Sequence, residues 1–154
     1  MSLVYSRIPI RAGELILAMQ DNGPPTEEQW APLMRDMKDA LKGHTGRAQV
    51  FSLVISDGGA PNAGQRAEFA KNLDGRPLRV SVLSDSTLVR GAVTAMGWFN
   101  SEMKSFPPKE SKQWLAYIPL EETEMILVRR AVAELYKKLK VTTLQHVPFL
   151  HTAL

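Results

Sequence analysis

The sequence predicts an α/β fold: a mainly parallel sheet with an N-terminal β-hairpin, flanking helices and a helical C-terminal extension. Three observations lead there. Apolar strands alternate with helical repeats in the order β-β-α-β-α-β-α-β-α-α, the pattern of crossovers between parallel strands. The run Gln49-Val50-Phe51-Ser52-Leu53-Val54-Ile55 is apolar almost throughout, as a central strand covered on both faces must be. The stretch 79–99 passes from a strand (Val80, Val82, Leu83) through a polar corner (Ser84, Asp85, Ser86, Thr87) into a helix. There Leu88, Ala92, Ala95, Met96 and Phe99 recur at helical spacing.

Bulk properties fit one domain with a real core. The chain has 154 residues, 44% hydrophobic and 23% charged, with a net charge of +3. Cysteine is absent, which removes disulfides, thiolate chemistry and Cys-based metal sites and suits a reducing cytoplasm. No apolar run reaches the roughly 18–20 residues of a membrane span. Met1-Ser2-Leu3-Val4-Tyr5 lacks a basic region followed by an apolar core, so no signal peptide is predicted. Basic and acidic residues alternate rather than clustering beside aromatics, which argues against a nucleic-acid partner.

In chain order, residues 3–10 and 13–20 read as two strands turned at Arg11, Ala12 and Gly13. Asp21-Asn22-Gly23-Pro24-Pro25 breaks the chain. A helix over 26–42 follows, with Thr26 and Gln29 at capping-box spacing and a core stripe of Trp30, Leu33, Met34, Met37 and Leu41. Residues 44–47 are a loop and 49–55 the central strand. Ser56-Asp57-Gly58-Gly59-Ala60-Pro61 is a second polar corner, and a helix over 62–73 is capped by Asn62. After the strand and helix of 79–99 come a turn at 100–102, a short strand at 103–106 and a short helix at 110–117. Residues 119–140 form a longer helix, acidic at its start (Glu121, Glu122, Glu124) and basic at its end (Lys137, Lys138, Lys140), as the helix dipole favours. The stretch 141–154 has no period, yet Val147-Pro148-Phe149-Leu150 is too apolar for a free tail and is expected to pack on the domain or on another chain.

Residues 59–66, Gly59-Ala60-Pro61-Asn62-Ala63-Gly64-Gln65-Arg66, have the glycine spacing of a phosphate loop. Gln65 and Arg66 stand where Lys and Ser/Thr are needed, and Pro61 removes a backbone donor. A weak anion site or a plain N-cap are the two readings left. Ser84-Asp85-Ser86-Thr87 is either a helix cap or a contact for a ligand, phosphate or partner, and Arg90 one turn on is placed to pair with Asp85 or an anion. His44, His146 and His151 lack metal spacing, no G-x-S-x-G is present, and Glu121 and Glu122 point different ways on a helix. Val89, Val93 and Trp98 fall off the main stripe of the 86–99 helix. That helix is therefore expected to be buried on two sides, to form an interface, or to wall a lipid-sized apolar pocket. The C-terminal helix is a candidate cover for it.

These residues carry a resemblance. Arg79-Val80-Ser81-Val82-Leu83-Ser84-Asp85-Ser86, Val89-Arg90, Trp98-Phe99-Asn100, Met103-Lys104-Ser105-Phe106-Pro107 and Trp114-Leu115 resemble the SpoIIAA-like family of the STAS superfamily, whose fold is likened to the lipid-binding CRAL-TRIO domain. The likeness spans about 8–116 and is strongest over 78–116, leaving 119–154 outside it. It implies a STAS-like sheet of four or five strands, used mostly in protein–protein regulation. Phosphorylatable anti-sigma-factor antagonists of this family carry Asp-Ser at the start of the helix after the central strand. Here Asp57 is followed by glycine, and Ser56 precedes it.

The expectation is a STAS-like domain over 1–118 with a helix and tail over 119–154, acting as a non-enzymatic regulatory or scaffolding module in a bacterial cytoplasm. Its partner is another protein, a second copy of the chain included. No cofactor, metal or nucleic acid is expected. A lipid or anion ligand is the alternative. The contact residues would be Asp57, Gly58, Gly59, Asn62, Ser84, Asp85, Ser86 and Arg90.

Overall fold

The computed structural model describes residues 2–44, 49–76, 78–97 and 102–151. Its strands β1 (Leu3–Ile10), β2 (Gly13–Gln20), β3 (Val50–Ser56), β4 (Arg79–Leu83) and β5 (Met103–Phe106) form one five-stranded sheet in the order β1-β2-β3-β4-β5. β1 and β2 are an antiparallel hairpin, in register from Leu3 opposite Gln20 to Ile10 opposite Gly13. The remaining neighbours are parallel.

Strands that follow one another in space as in sequence, joined by right-handed crossovers, lay every connecting helix on the same face. So α1 (Glu27–Gly43), α2 (Ala63–Leu73) and α3 (Thr87–Met96) pack together over Ile16, Ala18, Val50, Val80 and Val82. The alternate residues Leu15, Leu17, Met19, Phe51, Leu53, Ile55 and Leu83 face the other way. They are covered by α4 (Ser111–Ala116), α5 (Glu122–Lys138) and the tail. Both faces of β3 are thereby buried, as its unbroken apolar run requires.

Local signals hold at most boundaries. Thr26 caps α1 through a capping box with Gln29, and Asn62 caps α2 through one with Gln65. Glu124, near the start of α5, accepts hydrogen bonds from the backbone N–H of Glu121 (2.9 Å) and of Arg11 in the β1–β2 turn (2.6 Å). The acidic start of α5 is thus bound to the hairpin as well as matched to the helix dipole.

Several expectations change. Ser56 ends β3 instead of opening the corner. A 3-10 turn, Pro108–Glu110, precedes α4, so the helix expected at 110–117 is shorter. The aperiodic stretch after α5 folds as two 3-10 turns, Thr142–His146 and Pro148–Leu150. Val141, Leu144, Val147 and Leu150 are buried in the core under α5. Turns this short show no repeat in sequence.

The buried face of α3 is also different. Val89, Val93 and Met96 point into the core, whereas Leu88 is 70% exposed and Ala95 is exposed as well. Two stripes at i, i+4, i+7 spacing lie side by side on this helix, and the one with the bulkier inner members faces the sheet. Nor does the C-terminal helix cover α3: α5 packs on β1 and β2, on the opposite face. Trp98, Phe99, Asn100, most of the 44–47 loop and most of the 100–102 turn lie outside the described residues.

Candidate functional site

Open α/β sheets bind ligands where the strand order reverses and leaves a crevice between helices of opposite faces. From β2 to β5 the order never reverses. The corners after β3 and β4 therefore sit at carboxyl ends of strands without a crevice of that type, and their side chains decide what they do.

After β3, the Ser56 hydroxyl donates to the Gly59 carbonyl (2.7 Å) and accepts from the Gly58 N–H (3.2 Å). Gly58 has φ +151°, a conformation that favours glycine. Gly59 N–H donates to the Asp21 carbonyl (2.8 Å), and a Cβ at Gly59 would lie only 2.6 Å from that oxygen. Two glycines at 58 and 59 thus let the corner press against the β2–α1 loop.

Asp57 turns to the other face. Its Oδ2 accepts from the Thr142 N–H (2.7 Å), and its Oδ1 from the Thr143 N–H (2.8 Å) and hydroxyl (2.7 Å). The carboxylate caps the first 3-10 turn of the tail, and Thr143 also reaches the Ser56 carbonyl (3.2 Å). Asn62 is exposed, with its amide oxygen on the Gln65 N–H (2.8 Å). Gln65 is buried and donates to the Pro25 carbonyl (2.9 Å) and to Glu27 (3.1 Å). The phosphate-loop spacing of 59–66 is therefore filled by a helix cap and a brace to α1.

After β4, Ser84 is buried and its hydroxyl accepts from the Ser86 N–H (3.2 Å). Ser86 caps α3 through the Val89 N–H (3.4 Å). Asp85 and Arg90 are exposed and form no ion pair with each other. They line an open depression with Pro107, Pro108, Lys109, Glu110 and His146.

The eight expected contact residues thus point to different places. Asp57 holds the tail, Ser84 is interior, Asn62 and Ser86 are caps, and Asp85 with Arg90 lie in the depression. The two corners do meet: a Cβ on Gly58 would be 3.6 Å from the Ser86 hydroxyl. Beside that junction an open groove of about 540 Å³ runs along α3. Gly58, Gly59, Ala60 and Pro61 line one wall and Thr87, Leu88, Gly91, Ala92 and Ala95 the other, with Asn22, Pro24 and Arg66 at its rim. Among the described residues Arg66 is the one charged residue lining it, held by a bond from Nη1 to the Pro61 carbonyl (2.7 Å).

Sequence reasoning missed the role of Thr142 and Thr143, because contact across 85 positions has no local signature. It also missed Leu88 as a surface residue, although the doubled apolar stripe of α3 was visible. Among the described residues no helix is long and apolar enough to cross a membrane.

No protein-family model matches the chain. No curated protein matches it either. Among solved structures it is similar to an uncharacterised protein of the DUF3478 family from Shewanella loihica, described as having a SpoIIAA-like fold. The TM-score is 0.55 at 17% identity, over 76% of this chain and 94% of that one. The strand order, the hairpin and this likeness together establish that the chain has a SpoIIAA-like α/β fold.

Proposed function

We propose that the chain is a non-enzymatic regulatory or scaffolding module that binds another protein through the groove beside α3. The exposed stripe of Leu88, Ala92 and Ala95 carries this reading. A leucine that is 70% exposed at the edge of an otherwise small-residue groove leaves apolar surface in water that a partner would bury. The occupant this chemistry favours is an apolar segment of a protein chain with a carboxylate near Arg66. A cysteine-free chain suits a cytoplasmic setting.

Site-specific photocrosslinking in the native cell tests the reading. A photoreactive residue in place of Leu88 should yield a discrete protein adduct, and Ala95→Asp should abolish it. The adduct mass separates a foreign protein from a second copy of this chain. Equal crosslinking from Lys112, on the other face, or indifference to Ala95→Asp, would sink the assignment.

A further inference from the structure

Charge is unevenly spread along the chain. Residues 125–151 hold five basic side chains, Arg129, Arg130, Lys137, Lys138 and Lys140. Their one carboxylate, Glu134, is paired with Lys137 (3.1 Å). The whole chain carries +3, so this segment exceeds the total and the remainder is slightly negative.

Apolar exposure gathers in the same place. Among the described residues four large apolar side chains are exposed, and three of them are Ile126 (43%), Leu127 (46%) and Phe149 (36%). Ile126 and Leu127 stand on α5, one turn before Arg130. Phe149, in the last 3-10 turn, is fixed to the helix by Arg129. That side chain donates from Nε to the Phe149 carbonyl (2.8 Å) and lays its guanidinium 5.8 Å from the ring centre.

Val128, Val132 and Leu135 point from α5 into the core. Helical spacing then puts Ile126, Arg130 and Lys137 on one outward row and Leu127, Glu134 and Lys138 on the next, and all six are exposed. Single exposed apolar side chains are ordinary; three on one face, flanked by basic ones, form a contact surface. Two properties select its occupant. The sign of the charge calls for an anionic partner. The convex outer side of a helix offers a protein no pocket for an anchoring side chain. The headgroup layer of a bilayer takes shallow apolar tips and sets its phosphates against lysine and arginine.

We propose that α5 and the last turn of the tail form a docking surface for an anionic lipid bilayer. The helix lies in the plane of the headgroups, with Ile126, Leu127 and Phe149 inserted and Arg130, Lys137 and Lys138 on lipid phosphates. Binding is peripheral and reversible, because three side chains supply far less apolar area than a spanning helix. The groove beside α3 is on the opposite face of the sheet, so this docking and protein binding in the groove stand independently.

The absence of cysteine lets a single dye be placed. Leu127→Cys carrying an NBD fluorophore should shift to the blue, saturably, on titration with vesicles of equal parts phosphatidylglycerol and phosphatidylcholine. It should not respond to phosphatidylcholine alone. The same dye at Lys71→Cys, exposed on α2, should stay unchanged with either. In co-sedimentation of the unlabelled chain with the mixed vesicles, Arg130→Gln with Lys138→Gln should weaken binding at least about tenfold, since each basic contact is worth roughly fivefold. Ile126→Ser with Leu127→Ser should weaken it at least about fivefold through lost apolar contact. No shift with mixed vesicles, an equal shift at Lys71→Cys, or unchanged binding in either double variant would overturn the proposal. So would a concentration-dependent dimer that Ile126→Ser with Leu127→Ser dissolves, which makes a second copy the occupant.

Discussion

The carboxylate of Asp57 accepts both the backbone N–H and the hydroxyl of Thr143, 86 positions later in the chain. This bond set joins the carboxyl end of the central strand to the tail. It shows that the C-terminal extension is part of the domain's core on that face, through Val141, Leu144, Val147 and Leu150. It also changes what a mutation at Asp57 reports, since loss of the side chain frees the tail before it alters any contact with a partner.

Asp57→Ala should therefore lower stability by about 2 kcal/mol, the worth of charge-assisted bonds to a capped turn. That corresponds to a fall in Tm of about 4–8 °C for a chain of this size. Urea denaturation of Asp57→Ala, Thr143→Val and the double variant should give a coupling energy of about 1 kcal/mol. Additive losses would mean that the apolar residues of the tail hold it without this contact.

Ser81 and Trp114 exchange hydrogen bonds: the serine hydroxyl donates to the Trp114 carbonyl (2.8 Å), and the indole N–H donates to the Ser81 carbonyl (2.9 Å). Both residues are fully buried. Trp114→Phe leaves the Ser81 carbonyl without the indole donor and opens space, and should cost about 2–4 kcal/mol in chemical denaturation. A loss below about 1 kcal/mol would show that the site collapses around the smaller ring.

Gly59 and Gly91 should respond in opposite directions to alanine. At Gly59 the new methyl meets the carbonyl oxygens of the β2–α1 loop, and the variant should lose more than about 2 kcal/mol. At Gly91 nothing lies within 4 Å, and the position is exposed in α3. Gly91→Ala should stabilise by about 0.5–1 kcal/mol through helix propensity. Thermal melts of the two variants against the parent decide this, and a destabilised Gly91→Ala would contradict the open space beside it.

Tyr5 donates to Asp36 (2.5 Å), and burial, followed by this bond, pushes its phenol up to about 12. In the unfolded chain the phenol ionises near pH 10. As pH rises the unfolded state loses its proton first, so this contribution to stability is whole below about pH 10 and is lost by about pH 12. Burial also raises Tyr117, so the two phenols share the effect. Urea midpoints followed from about pH 9 to about pH 11 should fall less steeply in Tyr5→Phe than in the parent. Identical slopes would remove Tyr5 from the alkaline transition.

Legibility in the sequence followed the range of the interactions. The hairpin at 3–20, the central strand read at 49–55 and the caps at Thr26 and Asn62 were readable because each depends on neighbours within a few residues or on a period of two or 3.6. The buried face of α3 was not. Leu88-Ala92-Ala95 and Val89-Val93-Met96 satisfy the same spacing, and only the position of the sheet chooses between them.

Sequence alone thus determined the α/β class, the order of the strands and main helices, the hairpin and the capped starts of α1 and α2, all consequences of local patterning and backbone capping. Tertiary structure decided which apolar stripe of α3 stays in water and that Asp57 binds Thr143. Each of these depends on atoms brought together by the crossovers and by the return of the tail across β3. Such proximities are set by packing the whole chain at once, and no window of sequence contains both partners.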